Sequence, residues 1–431
     1  MLDIQFIREN ASLVQQKADQ KQIEVNVADL LKLDTERREL MARLEALRAE
    51  RNKLVDSLKA GNPTEEQIAQ GRAVKEQIGQ IEILLEPVSD SFLQLLKSVP
   101  NMSMDDVPVG ASETENVVIK TVGKLPKFEF EPKNHWQLAE HKGLIDKERA
   151  SKVAGTRFAY IKGDLVKLHF ALMNYAMDVL TSEDTLKQIA KTANLEVSTK
   201  PFVLVLPPLM IKTDIYDAMD RLEPRDDRYK IEGEELWLQG SAEHVLGSMH
   251  ANEIIPETEL PIRYAGYATS FRKEAGTYGK DMEGILRMHQ FEKLEMESLT
   301  TPEDALNEHL FLIAIQEYLM QQLSLPYQVV MKCTADIGKP NARGVDIDVW
   351  LPGQNKYRET HTADYMTDYQ SRRLQTKFRL GDNSVGLVHT NDATGFSQRP
   401  LIAIIENNQN ADGSIRVPDV LIPFMGGKQT I

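Results

Sequence analysis

The chain has 431 residues, 42% of them hydrophobic and 27% charged, with a formal net charge of −14. Those proportions exclude a disordered or low-complexity chain. The lone Cys333 excludes an intrachain disulfide framework or a cysteine-rich zinc site, and no run of about eighteen apolar residues is present to span a membrane.

The opening Met1-Leu2-Asp3-Ile4-Gln5-Phe6 lacks a basic stretch followed by an apolar block, so no secretion signal is expected and the expected compartment is the cytoplasm. The acid excess argues against an even positive coat for nucleic acid but leaves room for a local basic stripe. At about 150 residues per domain the length suggests two or three domains.

The first hundred residues read as helical. Leu33, Arg37, Leu40, Leu44, Leu47, Arg51, Leu54 and Leu58 recur at alternating spacings of four and three, an a/d seam. It stops at Gly61-Asn62-Pro63, and Thr64 with Gln67 has the spacing of a capping box. A second seam runs through Val74, Ile78, Ile81, Leu85, Val88, Phe92, Leu95 and Val99, with a kink or irregularity expected at Pro87. Two such helices joined by a short break fold back into an antiparallel hairpin roughly 40 Å long. The segment 37–59 carries +3 and the segment 64–99 carries −3. On pattern alone, a dimerising coiled coil or bundle fragment and a projecting arm that touches a partner both remain open.

Residues 101–132 are polar and read as a linker. Beyond them, 165–180 is an amphipathic helix, 202–206 a buried strand ended by Pro207-Pro208, and 302–323 a long helix with Thr301 as N-cap. Further strands are expected at 262–271, 288–297, 327–332 and 345–350, the last alternating Val345, Ile347 and Val349 with Asp346 and Asp348. Widely spaced strands with few βα units imply an α+β fold: an antiparallel sheet flanked by helices, preceded by the helical hairpin.

No phosphate-binding Gly-x-x-x-x-Gly-Lys loop or Gly-x-Ser-x-Gly elbow is present, and the nine histidines are scattered. One segment concentrates chemistry: residues 269–295, a strand, a glycine-rich polar loop and a second strand. Arg272, Lys273, Lys280, Arg287 and His289 lie in or beside the loop and suit a phosphorylated ligand. Glu274, two residues after Arg272, is expected on the same strand face, placed to accept from an exocyclic amine. A surface hairpin with incidental charges is the alternative.

That segment, with Phe271-Arg272-Lys273-Glu274-Ala275-Gly276, Gly279-Lys280-Asp281 and Arg287-Met288-His289-Gln290-Phe291-Glu292-Lys293-Leu294-Glu295, resembles motif 2 of class II aminoacyl-tRNA synthetases, and the seryl-tRNA synthetase family in particular. Asp368-Tyr369-Gln370-Ser371-Arg372-Arg373 is similar to that family's Asp-Phe-Gln-Ala-Arg-Arg, and 399–407 with Gln409 is similar to motif 3. The resemblance covers nearly the whole chain. It implies a tRNA-binding domain over 1–110 with the hairpin as arm, and a catalytic domain over 111–431 of class II type. It also implies a homodimer joined around 203–211. The implied activity is a ligase that uses ATP and Mg²⁺ to activate L-serine and load tRNA(Ser), with tRNA(Sec) as a further acceptor.

The resemblance also implies residue roles. Arg272 would bridge the amino-acid carboxylate and the α-phosphate, Glu274 would hold the adenine amino group, Phe291 would stack on adenine, and Arg399 would cover its other face and reach the γ-phosphate. Glu359 would hold Mg²⁺ with help from the Thr362 hydroxyl, and Lys273, Thr360 and His361 complete the ATP set. Ser241, Ala242 and Glu243 stand where the family has Thr-Ala-Glu. With Glu295, Ala393 and Thr394 they would surround serine. The family's Ser-Ser-Cys-Ser-Asn is here His361-Thr362-Ala363-Asp364-Tyr365, and its Asn-Gly-Ser is Asn391-Asp392-Ala393-Thr394, so the departures gather near the amino-acid pocket. A ligase for another amino acid or a carrier protein, and an inactive tRNA-binding paralogue, are the competing readings.

Overall fold

A computed structural model describes residues 1–58, 64–275 and 284–431. The Gly61-Asn62-Pro63 break and the 276–283 part of the polar loop lie outside the described residues. The chain divides into two compact units, Met1–Met102 and Ser103–Ile431.

The first unit is helical: α1 (Ile4–Glu9), α2 (Ala11–Gln20), α3 (Val27–Leu58) and α4 (Glu65–Ser98). Asp3 caps α1, its carboxylate accepting from the Gln5 N–H at 2.7 Å. Arg8 grips the buried Asp34 with two bonds of 2.7 and 2.9 Å, which ties α1 to α3. The helices α3 and α4 run antiparallel. Arg48 meets Glu82 at 2.8 Å, and the Arg37 guanidinium lies 4.8 Å from the Phe92 ring centre. Leu40, Leu44, Val74, Ile78 and Ile81 form the seam's core, flanked by Leu47, Leu54, Leu85 and Val88. Thr64 and Gln67 make the reciprocal capping box.

One detail differs from the heptad reading: Arg51 is exposed. The helical span of α4 runs on through Pro87, where a kink or irregularity was expected. Pro87 sits on the exposed side, where the carbonyl it strands is open to water.

The second unit is built on an eight-stranded sheet: β1 (Val117–Val122), β2 (Val203–Val205), β3 (Ile262–Phe271), β4 (Gln290–Thr300), β5 (Tyr327–Met331), β6 (Arg343–Leu351), β7 (Lys356–Thr367) and β8 (His389–Ser397). Their spatial order is β1-β5-β6-β7-β8-β4-β3-β2. Every neighbouring pair is antiparallel except β2 with β3. The expected linker therefore contributes an edge strand. Its Val-Val-Ile-Lys-Thr-Val run has the β-branched residues a strand needs, but the polar flanks hid it. The strand expected to be buried at 202–206 is also corrected: β2 is short and ends the sheet, with Val203 57% and Leu206 84% exposed.

One sheet face carries α5 (Asp164–Thr181), α7 (Ala305–Gln322) and α8 (Arg399–Asn407) over a continuous apolar core. A short helix, α6 (Glu243–Leu246), lies elsewhere. The start of α7 falls later than expected because the Thr301 hydroxyl caps a preceding turn, accepting from the Asp304 N–H at 3.3 Å. Gln316 of α7 donates to the Thr362 and Thr394 carbonyls at 2.8 and 2.9 Å, fixing the two central strands. Buried Arg263 of β3 pairs with Glu308 of α7 through two 2.6 Å bonds. Removing either partner would strand a buried charge, at about 3–5 kcal/mol.

Candidate active site

The other sheet face floors a cavity of about 620 Å³. Alternation along the strands sets the floor. Val345, Ile347 and Val349 are buried against the helices, so Asp346 and Asp348 face the cavity. On β4 the facing residues are Phe291 and Lys293, with Glu295 and Glu297 next in the same row. On β8 they are Asp392 and Thr394.

Two bulges adjust this pattern. Pairing of β6 with β7 shifts between Ile347 and Asp348, leaving Thr360 unpaired in the ladder with its hydroxyl donating to the Ile347 carbonyl at 3.0 Å. The extra residue swings Glu359 onto the cavity side, alongside Thr360 and Thr362. The second bulge, at Gly395, keeps Phe396 in the core and turns Ser397 to the cavity.

At one end of the cavity stand Arg272, Glu274, Arg287, Phe291, Asp348, Glu359 and Arg399. Arg272 follows directly after β3. Its Nε donates to the Gly240 carbonyl at 2.8 Å, and its guanidinium lies 5.3 Å from the Phe291 ring centre. So anchored, Arg272 lines the cavity. Glu274 lies beyond the strand with φ of 53°, so the same-face expectation does not hold. It reaches the cavity from a turn and pairs with Arg287 at 3.2 Å. Arg399 opens α8 and holds Glu359 at 2.9 Å. Burial pushes the Glu359 carboxyl up, but Arg399 and Lys332 outweigh it and bring it down to about 2.

The other end is denser in charge. Glu243, from α6, sits 3.9 Å from Lys293, which pairs with Glu295 at 2.5 Å and donates to the Ser241 hydroxyl at 3.2 Å. Burial, together with the charges of Glu243 and Asp392, holds the Glu295 carboxyl well above its ordinary range despite Lys293. Lys332 of the β5–β6 connection inserts its ammonium among the Thr362 hydroxyl at 2.9 Å, Asp364 at 3.0 Å and Asp346 at 3.4 Å. Arg221 reaches Asp392 at 3.3 Å.

Most of the residues singled out from sequence converge here, but Lys273, Ser241, Ala242, Glu295, His361 and Ala393 do not line the cavity. His361 and Ala393 occupy the opposite strand face. His361 is fully buried with its ring 5.6 Å from Phe396, and burial lowers its pKa to about 3. Ala393 packs in the central core. Ala242 packs with Leu246 and Ala268. Lys273 lies over the Tyr229 ring at 5.5 Å. Ser241 is buried beneath the cavity and acts through Lys293.

Sequence reasoning gave no role to Lys332, Arg221, Lys293, Glu297 or Asp348. The Asp346/Asp348 alternation was a usable signal. Arg221 and Lys332 are brought in only by tertiary packing and carried none.

A magnesium site can be tested against these donors. Asp348 and Glu359 are direct cross-strand partners at the cavity mouth, and burial with the facing Glu359 charge raises Asp348 to about 6. Two opposed carboxylates suit a hard cation. The Thr362 hydroxyl is engaged by Lys332, so Asp348 fits the second position better. Among the described residues no preformed cluster of three metal-binding side chains exists.

Comparison with known proteins fits this geometry. The model of the class II tRNA synthetase core domain (G, H, P, S and T) matches residues 228–408, and that of the seryl-tRNA synthetase N-terminal domain matches residues 1–103. The serine–tRNA ligase of Thermodesulfovibrio yellowstonii is 38% identical, with 99% of each chain covered. The structure of seryl-tRNA synthetase from Pyrococcus horikoshii complexed with ATP superposes with a TM-score of 0.89 at 36% identity, covering 100% of this chain and 99% of the other. A cytoplasmic serine–tRNA ligase from Naegleria fowleri in complex with AMP gives 0.85 at 29% identity, covering 100% and 98%.

Proposed function

The chain belongs to the seryl-tRNA synthetases, and from that premise we propose how its residues divide the work of an ATP-dependent serine–tRNA ligase. The observation that carries the assignment is the convergence of Arg272, Phe291, Glu359 and Arg399 at one end of a single cavity.

Adenine lies between Phe291 and Arg399, with its amino group toward Glu274. Arg272 spans the serine carboxylate and the α-phosphate, so its charge meets the negative charge that builds as a carboxylate oxygen attacks phosphorus and pyrophosphate leaves. Glu359 and Asp348 are the residues that would hold Mg²⁺, which when bound would supply positive charge to offset that of the nucleotide phosphates. Glu243 and Glu295 receive the serine ammonium, and the Thr394 hydroxyl faces the side chain. No enzyme nucleophile is needed: the ribose hydroxyl of the tRNA end then takes the acyl group and AMP leaves, so catalysis is chiefly positioning.

We assign the domain at 1–110 to tRNA binding, with tRNA(Ser) as acceptor and tRNA(Sec) as a second one, and 111–431 to catalysis. Support for the arm comes from the exposed Arg38, Arg43, Arg48, Arg51 and Lys53 on α3. A homodimer is supported by the exposed Val203, Leu204, Leu206, Leu209 and Met210 at the end of the sheet. The proposed compartment is the cytoplasm. No helix among the described residues is long and apolar enough to cross a membrane.

Serine-dependent exchange of pyrophosphate into ATP tests the reading. Exchange with serine is expected, and its absence with intact ATP binding would overturn it. Removing residues 33–99 is expected to spare exchange while tRNA charging collapses. Equal loss of both would reject the arm assignment.

A further inference from the structure

The strand register places three carboxyl groups in one row on the cavity face of the sheet: Asp364 and Asp392 line the cavity, and Glu297 lies buried just beyond its lining. Asp364 of β7 is the cross-strand partner of Asp392 of β8, and Asp392 is the partner of Glu297 of β4. Like charges set directly opposite one another are destabilising, and this row has few cations to relieve it. Lys332 closes one end at Asp364, and Arg221 touches Asp392.

Glu297 has no exposed surface, and neither of its carboxylate oxygens has a hydrogen-bond partner. It stands on the cavity face, two residues beyond Glu295 in the β4 alternation, with the Gly247 turn after α6 closing over it. A Cβ at Gly247 would lie 3.1 Å from its Oε1. A buried, unpartnered carboxyl beside a cavity is costly unless something donates to it.

We propose that the row Asp364–Asp392–Glu297 reads the amino-acid side chain and accepts a cationic nitrogen on the carbon next to the α-carbon. The substrate class is a short diamino acid, 2,3-diaminopropionate being nearly isosteric with serine. This rests on the assignment of Glu243, Glu295 and Thr394 to the amino acid. With the α-ammonium at Glu243 and Glu295, the next row of same-face positions lies about 7 Å along the strand, within reach of a donor on the adjacent carbon. A hydroxyl donates one hydrogen bond and carries no charge, whereas an ammonium donates three and neutralises surplus acid. Activation follows the same course as for serine. A carboxylate oxygen bonds to the α-phosphorus, the bond to the bridging oxygen breaks, pyrophosphate leaves, and the side-chain ammonium keeps its proton.

The test is pyrophosphate exchange by the full chain with serine, 2,3-diaminopropionate, alanine and 2-aminobutyrate. We expect kcat/KM for 2,3-diaminopropionate within tenfold of serine and at least a hundredfold above the two apolar amino acids. In Glu297→Gln and Asp392→Asn the ratio of diaminopropionate to serine should fall at least tenfold. Because both rates come from one protein sample, partial misfolding cancels from that ratio, and Asp364→Asn gives a third reading. Serine exchange with diaminopropionate no better than alanine would overturn the inference, as would an unchanged ratio in all three variants. No exchange with any amino acid would overturn the ligase reading itself, and this inference with it.

Discussion

The two ends of the cavity are built on different electrostatic plans. At the nucleotide end Arg272, Arg287 and Arg399 stand against Glu274, Asp348 and Glu359, a matched set arranged largely as pairs. At the amino-acid end Glu243, Glu295, Glu297, Asp346, Asp364 and Asp392 outnumber Arg221, Lys293 and Lys332. A balanced end opens its pairs to admit a polyanion and a cation together. An acid-rich end without its ligand must hold protons: burial first, then neighbouring carboxylates, raise Asp392 to about 7 and Asp346 to about 8, each against an opposing cation. The difference teaches that one end is adapted to receive charge of both signs and the other to receive positive charge alone.

The largest expected effect lies where the two ends meet. Arg272→Ala should lower the rate of serine-dependent exchange by about a thousandfold, and Arg272→Lys by about a hundredfold, because a point charge cannot span two acceptors as the fork does. Retained activity in the alanine variant would remove Arg272 from the junction.

Lys332→Met comes next. It leaves Asp346 and Asp364 without their cation, and should cost about 3 kcal/mol of stability, read by denaturant melting. It should also raise KM for serine more than KM for ATP. Equal changes in both constants would erase the distinction between the ends.

That lysine marks the limit of what sequence could convey. The helical hairpin, its Thr64 cap, and the β3 and β6 strands were all legible, because heptad spacing, capping residues and period-two alternation are local signals. Arg272, Glu359 and Arg399 were legible through motif resemblance. What failed was face parity and long-range placement. His361 and Ala393 were grouped with neighbours one residue away, and in a strand one residue is the difference between cavity and core. Glu359 escapes that alternation only through the bulge at Thr360. Lys332 and Arg221 reach the floor from connections outside the motifs, where no spacing rule applies.

A smaller effect is expected with pH. Between pH 6 and pH 8 Asp392 loses its proton, so the floor becomes more negative and KM for the amino acid should fall severalfold. KM for ATP should change less, since Glu359, held down at about 2 by Arg399 and Lys332, stays ionised throughout and Asp348, raised to about 6, has its midpoint at the lower edge of that range. Parallel pH profiles for the two substrates would contradict the asymmetry.

The smallest effect concerns stability. Burial and the surrounding carboxylates raise the Glu297 carboxyl well above its unfolded value. The native state therefore binds this proton more tightly than the unfolded chain. Its stabilising contribution is present below the ordinary carboxylate range and is lost as pH rises toward the folded pKa. Glu297→Gln should accordingly raise Tm by about 1–2 °C at pH 8, with a smaller gain at pH 5. A fall in Tm at pH 8 would mean that the charged form has a partner in the empty cavity.

The most direct measurement is a crystal structure with a non-hydrolysable seryl-adenylate analogue. Adenine is expected between Phe291 and Arg399, the acyl-phosphate linkage mimic on Arg272, the ammonium between Glu243 and Glu295, and the side chain directed at Thr394 and the Asp392 row. An analogue bound with its adenine on the acid-rich floor, or with its ammonium away from Glu243 and Glu295, would contradict this arrangement.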